Sequence, residues 1–363
     1  MDTEILDYYT DYLISSFGLT TATGLAALLN GAISHDRITR FLAKQDLTSA
    51  NLWKMVKSQV RQIESQEAVL IIDDSIEAKP YTDESELICW HWDHTEGRNV
   101  KGINLLSALY YSQEMSLPVA FELIQKTEWV TDKKTGKEKR VCPLTKNAYF
   151  RQMVQTCVDN HLLFRYVLAD TWFASAENMI FVHQTLDTDF VFPLKDNRKV
   201  ALSQEDQQNG VYVPVSTLTL EENTVVEIWL EGVSFPLLLC KQVFTNKDGS
   251  QGILYLVTSD TTLTAQEMQA IYQKRWKVEE YHKSLKSNAS FSKSPTKTVR
   301  TQSNHIFACL WAYVKLEQLR VKTHLNHFAM KAKIYQSALA SAYQQLQELK
   351  QALHASSEPV SVG

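Results

Sequence analysis

Two short apolar runs, each followed directly by aspartate, constrain the fold of this chain most. "AVLIIDDS" leads into Asp73 and Asp74, and "FRYVLADTWF" carries Asp170 after its apolar part. Short apolar runs of this kind are typical of buried β-strands. A carboxylate at the end of such a strand is strongly destabilised if it stays unpaired among apolar groups. We therefore expect these aspartates to meet water, a cation or a hydrogen-bond donor.

Strand and helix patterns alternate around these two runs. "GINLLSALYYS", "SLPVAFELI" and "DFVFPL" read as further strands, whereas "KNAYFRQMVQTCVDNH" and "SAENMIFVHQTL" read as helices. The resulting order β-β-β-α-β-α-β predicts an α/β core. Adjacent parallel strands in such a core would bring their terminal aspartates close together.

The chain divides into five regions in this interpretation. Residues 1–66 read as helical, and residues 67–194 form the first part of the core. Residues 195–258 are rich in β-formers and predict an inserted, mostly antiparallel β domain. Residues 259–300 complete the core with a helix, and residues 301–363 are helical with a flexible tail.

The N-terminal region contains a pattern compatible with DNA recognition. Gly31 interrupts a helical stretch, and Ser34 is a suitable N-cap for a second helix that carries Arg37 and Arg40. A helix, a short turn with glycine and a basic second helix match a helix-turn-helix. Helix pairs with a glycine turn also serve purely structural roles, so both interpretations stay open.

Charge is distributed unevenly along the chain. The formal net charge is −4, yet residues 271–300 hold eight Lys or Arg against two acids. Phosphate binding depends on where positive charge lies rather than on its sum. The acidic N-terminus lacks the features of a signal peptide, and no apolar run is long enough to span a bilayer. We therefore expect a cytoplasmic protein without a membrane partner.

The stretch "IYQKRWKVEEYHKSLK" holds the most informative spacing. Tyr272, Arg275, Glu279 and Lys286 lie at offsets 0, 3, 7 and 14, so on one helix they would stay within roughly 60° of one another. An exposed salt-bridge face is the alternative, since Arg275 and Glu279 form an i,i+4 pair. A second stripe, expected to pack on the sheet, comprises Ile271, Val278 and Leu285.

Carboxylates that converge without cysteine or histidine ligands favour hard divalent ions. Two strand-end aspartates and Glu279 would suit Mg²⁺ or Mn²⁺. Two such ions about 4 Å apart are the arrangement used in phosphodiester chemistry. His91 and His94 could suggest another metal site, but a structural role or a role in a DNA-contacting loop is favoured because no further histidine lies near them in sequence.

The pattern Tyr-x2-Arg-x3-Glu-x6-Lys, with Trp276 directly after the arginine, resembles the Y-R-E-K signature of bacterial insertion-sequence transposases of the DDE class. "IIDDS" and "LADTWF" resemble the two aspartate motifs of that family. The resemblance implies a ribonuclease-H-like mixed sheet with an inserted β domain, flanked by helical termini.

The resemblance also implies a role for each motif residue. Asp74, Asp170 and Glu279 would bind two Mg²⁺ or Mn²⁺ ions. Phosphates would be gripped by Tyr272, Arg275 and Lys286, and Trp276 would stack on a displaced base. Asp73 is the alternative to Asp74, because consecutive residues of a strand point to opposite faces.

The implied activity is cleavage at the ends of an insertion sequence and joining of the 3′ ends to target DNA. The implied partners are double-stranded DNA and a second copy of the chain bound to it, in the bacterial nucleoid. Two alternatives stay open, a ribonuclease-H-like endonuclease that does not join strands and a domesticated, inactive DNA-binding regulator.

Overall fold

The computed structural model of the protein describes residues 2–93, 96–133, 136–246 and 248–355. The chain forms two units. The sheet unit comprises Gln45–Lys283 and Thr296–Phe307, and the helical unit comprises Met1–Lys44, Ser284–Pro295 and Ala308–Gly363.

The α-helices of the described chain are α1 (Thr3–Ser15), α2 (Ala22–Leu28), α3 (His35–Lys44), α4 (Ser49–Ile63), α5 (Lys146–Asp159), α6 (Ala176–Ile180), α7 (Gln204–Gln208), α8 (Ala265–Gln273), α9 (Trp276–Asn288), α10 (Val299–Thr323) and α11 (His327–Ala355). A π-helical turn, Phe181–Thr185, follows α6, and a 3-10 turn, Val215–Thr217, follows residue 214. The strands are β1 (Val69–Ala78), β2 (Cys89–Asp93), β3 (Arg98–Ser112), β4 (Met115–Leu123), β5 (Glu128–Thr131), β6 (Glu138–Val141), β7 (Tyr166–Ala169), β8 (Asp189–Leu194), β9 (Lys199–Ala201), β10 (Val213–Pro214), β11 (Val225–Leu230), β12 (Leu237–Thr245) and β13 (Gln251–Thr258).

One large mixed sheet organises the sheet unit. Its strand order is β10-β9-β11-β12-β13-β8-β7-β1-β3-β2, with β4 also paired to β3. β1 runs parallel to β7, which runs parallel to β8, while the other neighbours are antiparallel. Together with the helices at both ends of the chain, this sheet confirms the predicted mixed α/β class.

Side-chain caps fix where several helices begin. The Ser175 hydroxyl accepts a hydrogen bond from the backbone N–H of Asn178 at the start of α6. Thr264 and Glu267 form a reciprocal capping box at the start of α8. Each cap satisfies backbone N–H groups that have no partner within the helix.

The expectation that the first strand stops at its aspartates is wrong. β1 continues to Ala78, so Asp73 and Asp74 lie in its middle. The long strand β3 supplies antiparallel partners along all of β1, from Val69 opposite Tyr111 to Ala78 opposite Gly102. The apolar run of the sequence ends at Asp73, but the hydrogen bonds between β1 and β3 continue beyond it to Ala78. The sequence pattern therefore marks the end of the apolar part and not the end of the strand.

The β-rich residues 195–258 form strands, as expected, and these strands extend the main sheet. β13 pairs with β8, and β12 and β11 follow outward in antiparallel order. The strand pattern of the sequence missed β2 and the two-stranded pair of β5 and β6. The strands β2 and β5 are short, and β5 is exposed along its whole length. Their sequences therefore lack the apolar run or alternation by which a buried strand is recognised.

The helix α4 belongs to the sheet unit although it lies within the predicted helical region 1–66. Its side chains Leu52, Val56 and Val60 are fully buried. The Ser49 hydroxyl at its start accepts a hydrogen bond from the backbone N–H of Phe121 on β4. The described helices include none with the length and apolar character needed to cross a membrane.

Candidate active site

The register between β1 and β7 places the first two acids side by side. Ile72 of β1 lies opposite Ala169 of β7 in a parallel pair. Asp73 is the next residue of β1, and Asp170 directly follows the end of β7. The two acids are therefore neighbours at the end of this strand pair, and burial and the charge of Asp170 both raise the pKa of Asp73.

The stretch predicted as one continuous helix is two helices. α8 ends at Gln273 and α9 begins at Trp276, with Lys274 and Arg275 in a turn between them. The backbone N–H groups of both turn residues bond three residues back, Lys274 to Ile271 and Arg275 to Tyr272. These tighter bonds replace the α-helical pattern of bonds to the fourth residue back. The single-helix prediction is therefore wrong at its centre.

Contacts from α9 identify the sheet face that this helix covers. Ser107 of β3 lies directly opposite Asp73, and its hydroxyl is 3.1 Å from the hydroxyl of Tyr281 on α9. Val278 and Tyr281 are fully buried. The face of β1 that carries Asp73 is thus the face on which α9 packs.

Three side chains of the sheet unit form a candidate metal centre. One ligand atom from each of Asp73, Glu279 and His282 lies within 4.8 Å of the other two. Glu279 and His282 are one helical turn apart on α9, so both can face the strand. Divalent ions bind carboxylate oxygens at about 2.0–2.6 Å, which fits this spacing. The imidazole of His282 departs from the all-carboxylate ligand set expected from the sequence.

Arg275 spans the two carboxylates of this group. Its guanidinium lies 3.5 Å from an Asp73 oxygen and 3.2 Å from a Glu279 oxygen. The same guanidinium lies over the ring of Tyr272, at 5.9 Å from the ring centre. Arg275 therefore supplies positive charge at the point where the acids converge.

The electrostatics of the site favour a cation. Burial raises the pKa of the Asp73 carboxyl well above its ordinary range; the neighbouring Asp170, Asp74 and Glu279 carboxylates raise it further, and Arg275 opposes them. Burial and the charge of Asp74 also raise the pKa of Asp170, against the effect of two backbone N–H groups that bond it. Carboxylates crowded in this way are stabilised by a bound positive ion.

Asp74 points to the other face of β1. Its Oδ2 accepts a hydrogen bond of 2.7 Å from the amide of Asn104 and one of 2.7 Å from the ammonium of Lys146. Its charge is therefore matched by protein groups. Asp74, the preferred choice from sequence, is outside the group formed by Asp73, Glu279 and His282, and the alternative Asp73 is inside it.

Comparison with known families matches residues 2–210 to the model described as DDE superfamily endonuclease, which is more than half of the chain. The chain is a member of the DDE endonuclease superfamily. A comparison with curated proteins finds no match.

The family match and the site geometry support each other. The matched segment of this DDE endonuclease contains Asp73, Asp74 and Asp170, whereas Glu279 lies beyond it. Membership is consistent with a ribonuclease-H-like core. Members of the superfamily generally use divalent metal ions, and this endonuclease has a buried acidic cluster suited to one.

The residues predicted to bind DNA lie in different surroundings in this endonuclease. Burial raises the pKa of Tyr272 to about 12, so its hydroxyl stays protonated. Trp276 is 63% exposed at the start of α9, and Lys286 is half-buried two turns beyond Glu279. Their contacts with DNA stay predictions.

The helix-turn-helix prediction matches the order of the N-terminal elements. α2 and α3 are joined by a turn in which Gly31 has a φ of 76°. Arg37 on α3 pairs with the carboxylates of Asp2 and Glu4, and Arg40 is exposed. DNA recognition by this segment stays a prediction.

Sequence reasoning missed some residues of the site. His282 follows Glu279 by three positions, a helical spacing that could have indicated a shared face. Asn104 and Lys146 gave no signal, since their positions beside Asp74 depend on β3 and α5. His91 is buried with its Nε2 3.3 Å from the Cys89 sulfur, and burial lowers its pKa to about 4. His94 lies outside the described residues.

Proposed function

We propose that this DDE endonuclease is a DNA transposase that cleaves the ends of an insertion sequence and joins the 3′ ends to target DNA. The observation that carries the proposal is the meeting of Asp73 on β1 with Glu279 on α9, 206 positions later in the chain. Burial and the charge of Asp170 also act on Asp73 and raise its pKa. Its Tyr-Arg-Glu-Lys spacing further favours a transposase over a nuclease that only cuts.

Asp73, Glu279 and His282 would hold a divalent ion, Mg²⁺ or Mn²⁺, and Asp170 would contribute to a second position. When bound, such ions activate an oxygen nucleophile and neutralise charge on the phosphate. We assign the first acid to Asp73 rather than Asp74 because α9 covers the Asp73 face. Asp74, which is bonded by Asn104 and Lys146 on the other face, would stabilise the strand rather than bind the ion.

Arg275 would balance charge before and during catalysis. Its guanidinium pairs with Asp73 and Glu279 in the structure described here. Arginine binds a phosphate through two parallel N–H···O hydrogen bonds, in the same bidentate geometry with which it binds a carboxylate. A DNA phosphate brought to the site could therefore take over one of these contacts, while Tyr272 holds the guanidinium in place by its ring.

DNA would be held by residues beyond this centre. Lys286 would contact a phosphate, and Trp276 would stack on an unpaired base. Arg37 and Arg40 of α3 would contact double-stranded DNA at the element ends. Concerted joining of two ends would need two copies of the chain on DNA.

The direct test is incubation of the purified protein with the DNA that flanks its coding sequence, in the presence of Mg²⁺ or Mn²⁺, followed by mapping of cut and joined ends. We expect cleavage at the element ends and products joined to a target plasmid. The variant Glu279→Gln keeps the side-chain shape but loses a charged ligand, so it should bind DNA and not cleave it.

The outcomes separate the candidate functions. Cleavage without joined products would indicate an endonuclease without strand transfer. Specific DNA binding without cleavage by the wild type or by Glu279→Gln would indicate an inactive regulator. Cleavage by Glu279→Gln equal to that of the wild type would refute the assignment of the glutamate.

A further inference from the structure

The candidate metal centre draws its ligands from two elements that are far apart in the chain. Asp73 lies on β1, whereas Glu279 and His282 lie on α9. Metal–ligand distances tolerate deviations of only about 0.2 Å, so the height and rotation of α9 over the sheet must be closely fixed. A contact between α9 and the sheet therefore acts most directly on the ligand geometry if it lies beside these residues.

Tyr281 makes such a contact. It lies on α9 between Glu279 and His282, and its side chain is fully buried. Its hydroxyl is 3.1 Å from the hydroxyl of Ser107 on β3, which is also fully buried. Ser107 lies directly opposite Asp73 in the antiparallel pair of β1 and β3. The two hydroxyls therefore join α9 to the sheet at the level of the strand ligand.

The hydroxyl pair fixes α9 in both rotation and height. Buried hydroxyls are costly without a hydrogen-bond partner, so the buried pair resists separation. A slip of α9 by one residue would move Tyr281 by about 1.5 Å along the helix axis and about 100° around it. The narrow range of hydrogen-bond distances does not accommodate such a slip.

The ring of Tyr281 also contacts the ligand that follows it. The rings of Tyr281 and His282 have centroids 5.1 Å apart, with 44° between their planes. Aromatic rings at this distance attract each other, and the buried tyrosine ring limits the rotamers open to the imidazole. Tyr281 thus acts on the position of the helix and on the orientation of one ligand.

We propose that Tyr281 is a positioning residue of the metal centre and acts through Ser107. The proposal rests on the divalent-ion site of the proposed transposase, to which Tyr281 adds no ligand of its own. Residues that orient metal ligands typically change metal affinity by about 10–100-fold when they are removed.

The test uses the full-length protein without DNA and measures Mn²⁺ affinity by isothermal titration calorimetry. The electron paramagnetic resonance spectrum of bound Mn²⁺ reports the ligand geometry in the same samples. Tyr281→Phe removes only the hydroxyl and should weaken Mn²⁺ binding by about 10-fold or more and change the spectrum. Ser107→Ala removes the other half of the contact and should have the same effects.

The matched control is Tyr110→Phe on β3. Tyr110 is also fully buried, and its hydroxyl donates to the carbonyl of Leu163 at 2.9 Å. It lies three positions after Ser107 on the same strand and therefore on the opposite face of the sheet. Tyr110→Phe should keep the Mn²⁺ affinity and the spectrum of the wild type.

The double variant Tyr281→Phe/Ser107→Ala separates positioning from stability. Removal of both hydroxyls leaves neither of them buried without the other, so the free energy of unfolding in urea should recover relative to the single variants. Mn²⁺ affinity should stay as low as in the single variants, because the contact is still absent. Recovery of affinity together with stability would show that Tyr281 acts on stability alone and would overturn the proposal.

The remaining outcomes distinguish the positioning role from the metal centre itself. Wild-type affinity in Tyr281→Phe would overturn the positioning role and leave the metal centre in place. A wild type that binds no Mn²⁺, or an Asp73→Asn variant that binds it equally well, would overturn the metal centre and the positioning role with it.

Discussion

Adjacent residues of one strand serve different purposes in this protein. Asp73 lies on the face of β1 that α9 covers, and one of its oxygens is within 4.8 Å of a ligand atom of Glu279 and of His282. Asp74, one position later, faces Lys146 and Asn104. The alternation of a β-strand separates the two carboxylates, although in the sequence they look equivalent.

The difference between these aspartates leads to a prediction about metal affinity. Asp73→Asn removes a proposed ligand and should lower Mn²⁺ affinity, measured by isothermal titration calorimetry, by at least about 10–100-fold. Asp74→Asn should leave this affinity nearly unchanged. It should instead lower the free energy of unfolding by about 1–3 kcal/mol, because Lys146 loses its charged partner. The reverse pattern would return the ligand role to Asp74.

At the scale of elements, the break between α8 and α9 shapes the site. A continuous helix would hold Tyr272, Arg275 and Glu279 on one rigid face. The turn instead places Arg275 between the helices, where its guanidinium reaches Asp73 on β1 as well as Glu279. The spacing of Tyr272, Arg275 and Glu279 predicted one face of a single helix, but these residues lie on α8, in the turn and on α9.

The helix α9 carries a prediction about DNA binding. Lys286→Ala should weaken DNA binding and reduce the slope of log affinity against log salt concentration by about one, the change expected for one lost phosphate contact. Fluorescence anisotropy at several salt concentrations measures this slope. Lys322→Ala, an exposed lysine in the last turn of α10, is the control and should change neither value. An unchanged slope for Lys286→Ala would remove this lysine from the DNA contacts.

At the scale of the whole molecule, the N-terminal helices divide between the two units. α1 to α3 belong to the helical unit, whereas α4 packs on β4 in the sheet unit. The sheet unit therefore depends on residues that precede its first strand. Removal of residues 1–66 would take away part of the catalytic core together with the predicted DNA-reading helices.

This division predicts that α4 contributes to the stability of the sheet unit. Leu52→Ala leaves a cavity at a fully buried position and should lower the free energy of unfolding by about 2–5 kcal/mol in urea titrations. Lys54→Ala on the exposed face of the same helix should change it by less than about 0.5 kcal/mol. Equal effects of the two substitutions would show that α4 is not part of the core.

The sequence by itself determined the class of fold and most of the helices and strands that bear the site. Apolar runs mark β1 and β7 because buried strands need continuous apolar side chains, and caps such as Ser34 mark helix starts because local hydrogen bonds suffice there. Asp73, Asp74 and Asp170 could be selected as candidate ligands because a carboxylate directly after a buried apolar run needs a partner.

Only the tertiary structure decided how these residues meet. Whether Asp73 or Asp74 faces the site depends on which side of β1 the distant helix α9 covers. His282, Asn104 and Lys146 acquire their places from the same long-range packing. The continuation of β1 past its acids depends on β3, and the place of α4 depends on the sheet. Sequence patterns report periodicity within one element, whereas these outcomes are fixed by hydrogen bonds and packing between elements far apart in the chain.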